Sequence, residues 1–245
     1  MNPEVYTDLK TEDLVSRKKR PLTKTSLALV GFLCVSAAAR ANIYVIPDVA
    51  TLNPTDIIDW GGQLGPAVTT LSSPQIVSTF NGNTVEVSTA GGAMQRVDEG
   101  NGWTGNFDYG ETLLWTRGAN GPLTLQLANP VNAFGFGIQQ NAYGPFTATV
   151  NAFDAGNNLL GSLTLAGVGT NLENGSALFM GLGETTGNTI SSIQIDTGAH
   201  DFAINDVGLT TTPEPDFYGV VTFGLIALVG AKLRGLKKQG KRDTI

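Results

Sequence analysis

The chain has 245 residues and is acidic, with 21 Asp and Glu against 15 Lys and Arg, a formal net charge of −6. One Cys and one His exclude an internal disulfide framework and a histidine/cysteine zinc site. The acidity excludes nucleic-acid binding by bulk electrostatics, which needs clustered Lys and Arg to displace the counterions of phosphates.

Residues 1–24 carry Lys10, Arg17, Lys18, Lys19, Arg20 and Lys24, and the apolar run SLALVGFLCVSAAA follows from Ser26 to Ala39. Fourteen apolar residues are too few for a stable membrane span, and Ala39-Arg40-Ala41 has the small-x-small pattern of a signal-peptidase site. Residues 1–41 are therefore expected to be a signal peptide with a helical apolar run, cleaved after Ala41 so that Asn42 begins the mature chain. The long basic n-region leaves an uncleaved anchor as the alternative. Arg17-Lys18-Lys19-Arg20 lacks an adjacent Arg pair, so the general export route is expected. Cys34 lies inside the apolar run, and a mature chain beginning at Asn42 has no thiol.

The stretch 42–211 is expected to form one all-β domain. Apolar residues alternate with Glu, Thr, Gln or Asn at Val85/Val87, Leu123/Leu125/Leu127, Phe146/Ala148/Val150/Ala152, Leu163/Leu165 and Ile193/Ile195. That period of two puts one face in a core and the other in water. Gly- and Asn-rich turns separate the runs, among them Asn81-Gly82-Asn83, Gly91-Gly92 and Gly100-Asn101-Gly102. Phe146–Phe153 and Leu159–Leu165, joined through Asp154 to Asn158, read as a hairpin. No helical periodicity runs for a dozen residues. The expected architecture is an antiparallel β-sandwich of jelly-roll type.

The last segment, 212–245, opens on Pro213-Glu214-Pro215. An uncharged run of 15 residues, Phe217 to Ala231, comes next, and Lys232, Arg234, Lys237, Lys238, Lys241 and Arg242 close it. As a helix the run reaches ~22 Å. Counting on to Leu236, with Lys232 and Arg234 snorkelling, it reaches about 30 Å, enough for one transmembrane helix. The two prolines keep the preceding residues extended and remove two N–H donors, a form that a protease cleft can bind. Basic residues flank both apolar runs on their outer sides: seven lie in 1–41 and six in 232–242. The 42–216 stretch holds only Arg96 and Arg117 against 16 acidic residues. Both ends are thus expected on the cytoplasmic side and the acidic domain outside, with the basic tail setting topology.

Pro213-Glu214-Pro215 followed by a short apolar helix and a basic end resembles the sorting signal of PEP-CTERM proteins. The stretch from Pro122 onward, with its Phe-Asp turn and closing DFAIND strand, is similar to the β-sandwich ectodomains carried by such proteins. The resemblance implies an exosortase partner acting at Pro213, Glu214 and Pro215. It further implies transient anchoring in the inner membrane and delivery to the cell surface or an exopolysaccharide matrix, with no enzymatic activity required. Asp216-Phe217-Tyr218, where small residues are usual, and the interspersed basic residues depart from the family pattern.

For chemistry within the domain, His200 reads as a solvated loop histidine. Asp98-Glu99, Asp108 with Glu111, and Asp154 lie in Gly/Asn-rich loops. Such oxygen ligands suit Ca2+, yet no Asp-x-Asp-x-Asp-Gly loop is present, so solvated turns are the plainer expectation and a structural Ca2+ the alternative. Trp60, Trp103, Trp115, Tyr109 and Tyr143 are the aromatic residues that could stack on sugars. Trp115, in a strand-like run, is expected in the core. Trp103, in Asn101-Gly102-Trp103-Thr104-Gly105-Asn106, is the best candidate for an exposed residue that stacks on a polysaccharide, although a Trp that caps the end of a sandwich is the commoner outcome. A carbohydrate-binding module is accordingly the first alternative to a structural or adhesive surface protein, and a glycan hydrolase a more distant one.

Overall fold

The computed structural model describes residues 42–211. Among them, sixteen strands and two one-turn helices form. The first are β1 (Ile43–Val45), α1 (Val49–Leu52), β2 (Asp56–Ile58), α2 (Trp60–Gln63), β3 (Thr69–Ser72) and β4 (Gln75–Ser78). Then come β5 (Thr84–Thr89), β6 (Ala93–Glu99), β7 (Gly102–Trp103), β8 (Thr112–Trp115), β9 (Leu123–Val131) and β10 (Ala133–Gln140). The last are β11 (Gly144–Phe153), β12 (Leu159–Gly169), β13 (Leu178–Glu184), β14 (Ile190–Thr197), β15 (Phe202–Ile204) and β16 (Val207–Thr210).

The first sheet runs β1-β13-β10-β15-β8-β6-β3; β16 pairs with β10 beside β15, β2 lies beyond β16, and β7 pairs with β6. The second runs β12-β11-β14-β9-β5-β4. Pairing is antiparallel except between β6 and β7. From β8 to β15 the chain crosses between the sheets at every step except the β11–β12 hairpin. The resulting orders, β8-β15-β10-β13 and β9-β14-β11-β12, match jelly-roll winding. The expected signal helix and C-terminal transmembrane helix lie outside the described residues; among the described residues no helix is long and apolar enough to cross a membrane.

The core follows from alternation. Phe134, Phe136 and Ile138 of β10, Met180 and Leu182 of β13, and Val207 and Leu209 of β16 meet Leu123, Leu125, Ala148, Val150, Ile193 and Ile195 of the opposing sheet. Each large side chain so buried stabilises by ~1.5–3 kcal/mol. The expected hairpin is present, with Val150 opposite Leu163 and Ala148 opposite Leu165. Its turn is held by Asp154, whose carboxylate accepts from the N–H groups of Gly156 and Asn158, both at 2.8 Å.

The outer face of the first sheet is covered as well, which alternation alone does not suggest. Val97, Leu113 and Ala203 of that face pack under Trp103 and Phe107, which belong to the 100–111 segment. Ala133 and Phe179 pack under Ile46 and Leu52. The two covers leave a cleft between them.

Candidate functional site

The cleft takes its floor from glycines. Gly135 and Gly137 alternate with Phe134 and Phe136 in β10, and Gly208 lies between Val207 and Leu209 in β16, so the bulky residues fill the core while bare backbone faces outward. A Cβ added at Gly208 would come within 2.9 Å of Leu52 Cδ2, and one at Gly137 within 3.2 Å of Asn205 Nδ2. One wall is Asp48, Val49, Pro54 and Ile57; the other is Phe107, Asp108, Glu111 and Ala177. The space between is about 480 Å³, within the range that holds small-molecule ligands.

Polar groups in the cleft are tied to one another. Asn205 lies flat on β10: Gly137 N–H donates to its Oδ1 at 2.6 Å, and its own N–H donates to Gly137 O at 3.2 Å. Asn205 Nδ2 donates to Glu111 Oε1 at 2.7 Å, and Asp108 N–H donates to Glu111 Oε2 at 3.0 Å. Asp206 Oδ1 accepts from the Trp60 backbone N–H at 3.1 Å, while the Trp60 indole N–H donates to Asn205 O at 2.8 Å. Trp60 therefore fixes the bend between β15 and β16 that presents Asn205 and Asp206. Asp48 caps α1, accepting from Thr51 N–H at 2.7 Å, and that bond holds its carboxyl below the usual range.

Burial pushes the Asp206 carboxyl up to about 6, with the charges of Asp59 and Glu111 adding to the rise and the Trp60 N–H and Arg96 opposing it. Asp48, Asp108, Glu111 and Asp206 line the cleft, and among the described residues no Lys or Arg does. The site can accept hydrogen bonds from hydroxyl or amino groups, offers apolar contact through Phe107, Phe179, Pro54 and Ile57, and repels polyanions.

Trp103 corrects the sequence-based expectation. It is 5% exposed, not a surface platform. Its ring meets Trp115 edge-on with centroids 5.8 Å apart. The Gly/Asn-rich loop around it, which suggested exposure, folds back over the sheet and carries the indole inward. Trp60 is fully buried. Trp115 is half-buried outside the main core, its indole N–H donating to Asp201 Oδ1 at 2.6 Å. Tyr109 and Tyr143 are exposed, at 76% and 57%.

The acidic loops do not converge. Asp98 pairs with Arg96 at 2.7 Å. Glu99 is buried, accepts from Gly105 N–H at 2.6 Å, and has its carboxyl raised chiefly by desolvation. Asp154 serves its own turn. Among the described residues no three His, Cys, Asp or Glu side chains gather as metal ligands. His200 is half-exposed, with Nδ1 2.8 Å from Asp196. Pro213, Glu214, Pro215, Lys232, Arg234, Lys237, Lys238, Ala39 and Ala41 lie outside the described residues.

Asn205, Asp206 and the floor glycines were not singled out from the sequence. Their signal was there in Phe134-Gly135-Phe136-Gly137-Ile138 and Val207-Gly208-Leu209, where glycine alternates with bulky apolar residues and takes the outward positions between them.

No family model matches the chain, and no curated protein does. Among solved structures, it is similar to a DUF4465 family protein from Bacteroides caccae, at 13% identity and a TM-score of 0.35 over 70% of this chain and 100% of that one. It is similar to a family 6 carbohydrate-binding module at 8% identity and a TM-score of 0.31, over 60% of this chain and 95% of the module. The enzymatically active domain of tailspike protein 4 from bacteriophage CBA120 matches at 12% identity and a TM-score of 0.27, over 63% of this chain and 21% of the tailspike domain.

Proposed function

We propose that this chain is an exported, non-enzymatic surface or matrix protein, sorted by an exosortase-type system through Pro213-Glu214-Pro215 and held transiently in the membrane by the helix that follows. One geometric observation carries the reading: the chain enters and leaves the sandwich at the same end. Ile43 pairs with Glu184, Glu184 N–H donates to Asn132 O, and Asn132 N–H donates to Thr210 O. These four residues form one row across neighbouring strands, so the two ends of the domain are about 14 Å apart at the usual strand spacing. A domain built this way can stand on a membrane from either flank, and its acidic surface suits an external position.

The test is the intact mass of protein recovered from the native cell surface, beside a Pro213→Ala/Pro215→Ala variant. The wild type is expected to begin near Asn42 and end near Pro213-Glu214-Pro215, with the variant keeping its tail in the membrane. If both forms keep residues 217–245, the tail is a plain anchor and the exosortase reading fails.

The cleft favours a second reading, carbohydrate binding. A cleft with apolar walls and acceptor carboxylates suits the faces and hydroxyls of a sugar. Glu111→Gln, which keeps an oxygen for Asn205 Nδ2 but loses the acceptor for Asp108 N–H along with the charge, is expected to weaken retention on the producer's exopolysaccharide by roughly tenfold, equivalent to about 1.4 kcal/mol. Equal retention of variant and wild type would leave the structural role without this site.

A further inference from the structure

We propose that the sandwich binds a hard, oxygen-seeking divalent cation, Ca2+, in a cage formed by Glu184, Asn132 and Thr189, at the end where β1 enters and β16 leaves. The inference starts from three buried oxygens that have no hydrogen-bond partner: Glu184 Oε1, Asn132 Oδ1 and Thr189 Oγ1. Glu184 is 2% exposed and Asn132 9%. Buried polar atoms in folded proteins are almost always paired, so unpartnered acceptors on neighbouring strands need an explanation.

The register brings them together. Ala133 pairs with Gly183, and Glu184 N–H donates to Asn132 O at 2.8 Å, so Asn132 and Glu184 face one another across antiparallel strands. Side chains at such positions lie on the same side of a sheet. Theirs is the side of Phe134 and Leu182, toward the core. Val131 pairs with Ile190 in the second sheet, so the backbone of Thr189 lies next to that of Asn132 at the corner where β9 passes into β10, and its hydroxyl is the third, outermost oxygen of the group.

The carboxylate is also held in one orientation. Glu184 Oε2 accepts from Thr186 N–H at 2.6 Å and from Thr186 Oγ1 at 2.7 Å, which leaves Oε1 pointing away from that loop. A carboxylate oxygen, an amide oxygen and a hydroxyl are all acceptors in this arrangement. They can coordinate one cation together, as Ca2+ sites do with mixed carboxylate, carbonyl and water oxygens. A single carboxylate gives a weak site, of the order of 10⁻⁴–10⁻³ M, the range of extracellular modules. The site is separate from the cleft and from the acidic turns at Asp98 and Asp154. It does not depend on the sorting or carbohydrate readings.

The full chain, stripped with EDTA, would be titrated with CaCl2 and separately with MgCl2, by calorimetry and by thermal unfolding. Ca2+ is expected to raise Tm by several degrees with roughly submillimolar affinity, Mg2+ to do so much less, and Glu184→Gln to abolish the shift. The glutamine keeps an acceptor for Thr186 and gains an amide that can donate to Asn132 Oδ1, so the variant should fold without metal. Asn132→Asp adds a second charge and is expected to tighten Ca2+ binding at least tenfold, which keeps the test open even if Glu184→Gln folds poorly. A Tm unmoved by ~10 mM Ca2+ in the wild type would overturn the proposal; the Asn132 amide would then be turned, with Nδ2 donating to Glu184. A Ca2+ shift that survives Glu184→Gln and is unchanged in Asn132→Asp would overturn it too, by placing the ion elsewhere.

Discussion

Trp103→Ala is expected to destabilise the domain by about 3–5 kcal/mol, the range for removing a large buried aromatic. Trp103 packs with Val97, Phe107, Leu113 and Ala203 and meets Trp115 edge-on, so its loss opens a cavity between the first sheet and the 100–111 segment that covers it. That segment is also tied down by polar anchors, among them Gly105 N–H on Glu99, Asn106 with Gln139, Val168 and Thr170, and Asn205 on Glu111, so it is expected to stay in place over the cavity rather than detach. The cover also supplies Phe107, Asp108 and Glu111 to the cleft, so its loosening should blunt any ligand binding there as a secondary effect. Urea unfolding followed by intrinsic fluorescence would measure the change. A loss below about 1 kcal/mol, with sugar binding abolished, would restore Trp103 as a surface stacking residue.

The contrast between the two sheets explains what was legible in the sequence. The second sheet has one buried and one wet face, so Leu123/Leu125/Leu127 and Phe146/Ala148/Val150/Ala152 alternate with polar residues, and both the strands and the hairpin could be read directly. Polar partners such as Thr149 and Thr164, 3.0 Å apart on the outer surface, complete that pattern. The first sheet is covered on both faces, and β10 is buried along nearly its whole length. Its outward positions are Ala133, Gly135, Gly137 and Gln139, and the glycines read as loop punctuation unless their spacing against Phe134, Phe136 and Ile138 is noticed.

The site was less legible for the same reason. Its parts come from residues 48–57, 107–111, 135–137, 175–179 and 205–208, joined only by tertiary folding. Trp103 misled because glycine and asparagine around a tryptophan imply a turn. They do not say whether the turn folds away from the sheet or back onto it.

Asp206 carries the second large effect, through pH. Its carboxyl titrates near 6 in the fold, against a usual 3.8. A raised acid pKa means that the folded state holds its proton more tightly than the unfolded chain does. The resulting stabilisation is fully present below about pH 3.8 and is lost as pH rises through about 6, because the unfolded state ionises first. A shift of this size corresponds to about 2–3 kcal/mol. Asp206→Asn keeps an oxygen for the Trp60 N–H and cannot ionise. The stability of the wild type relative to this variant is therefore expected to fall by about 2–3 kcal/mol between pH 4 and pH 7. Taking the difference cancels the parallel titration of Glu99, whose carboxyl is also raised by burial. Denaturant unfolding of both proteins at half-unit pH steps would give the curve. A difference that stays flat across this window would mean that Asp206 is ionised as readily in the cleft as in water, and that the cleft is wetter than its walls suggest. A fall that runs from about pH 4 and levels off above about pH 6 would show that any ligand able to place a hydrogen-bond donor or a positive charge against Asp206 gains affinity as the carboxyl ionises near that upper limit.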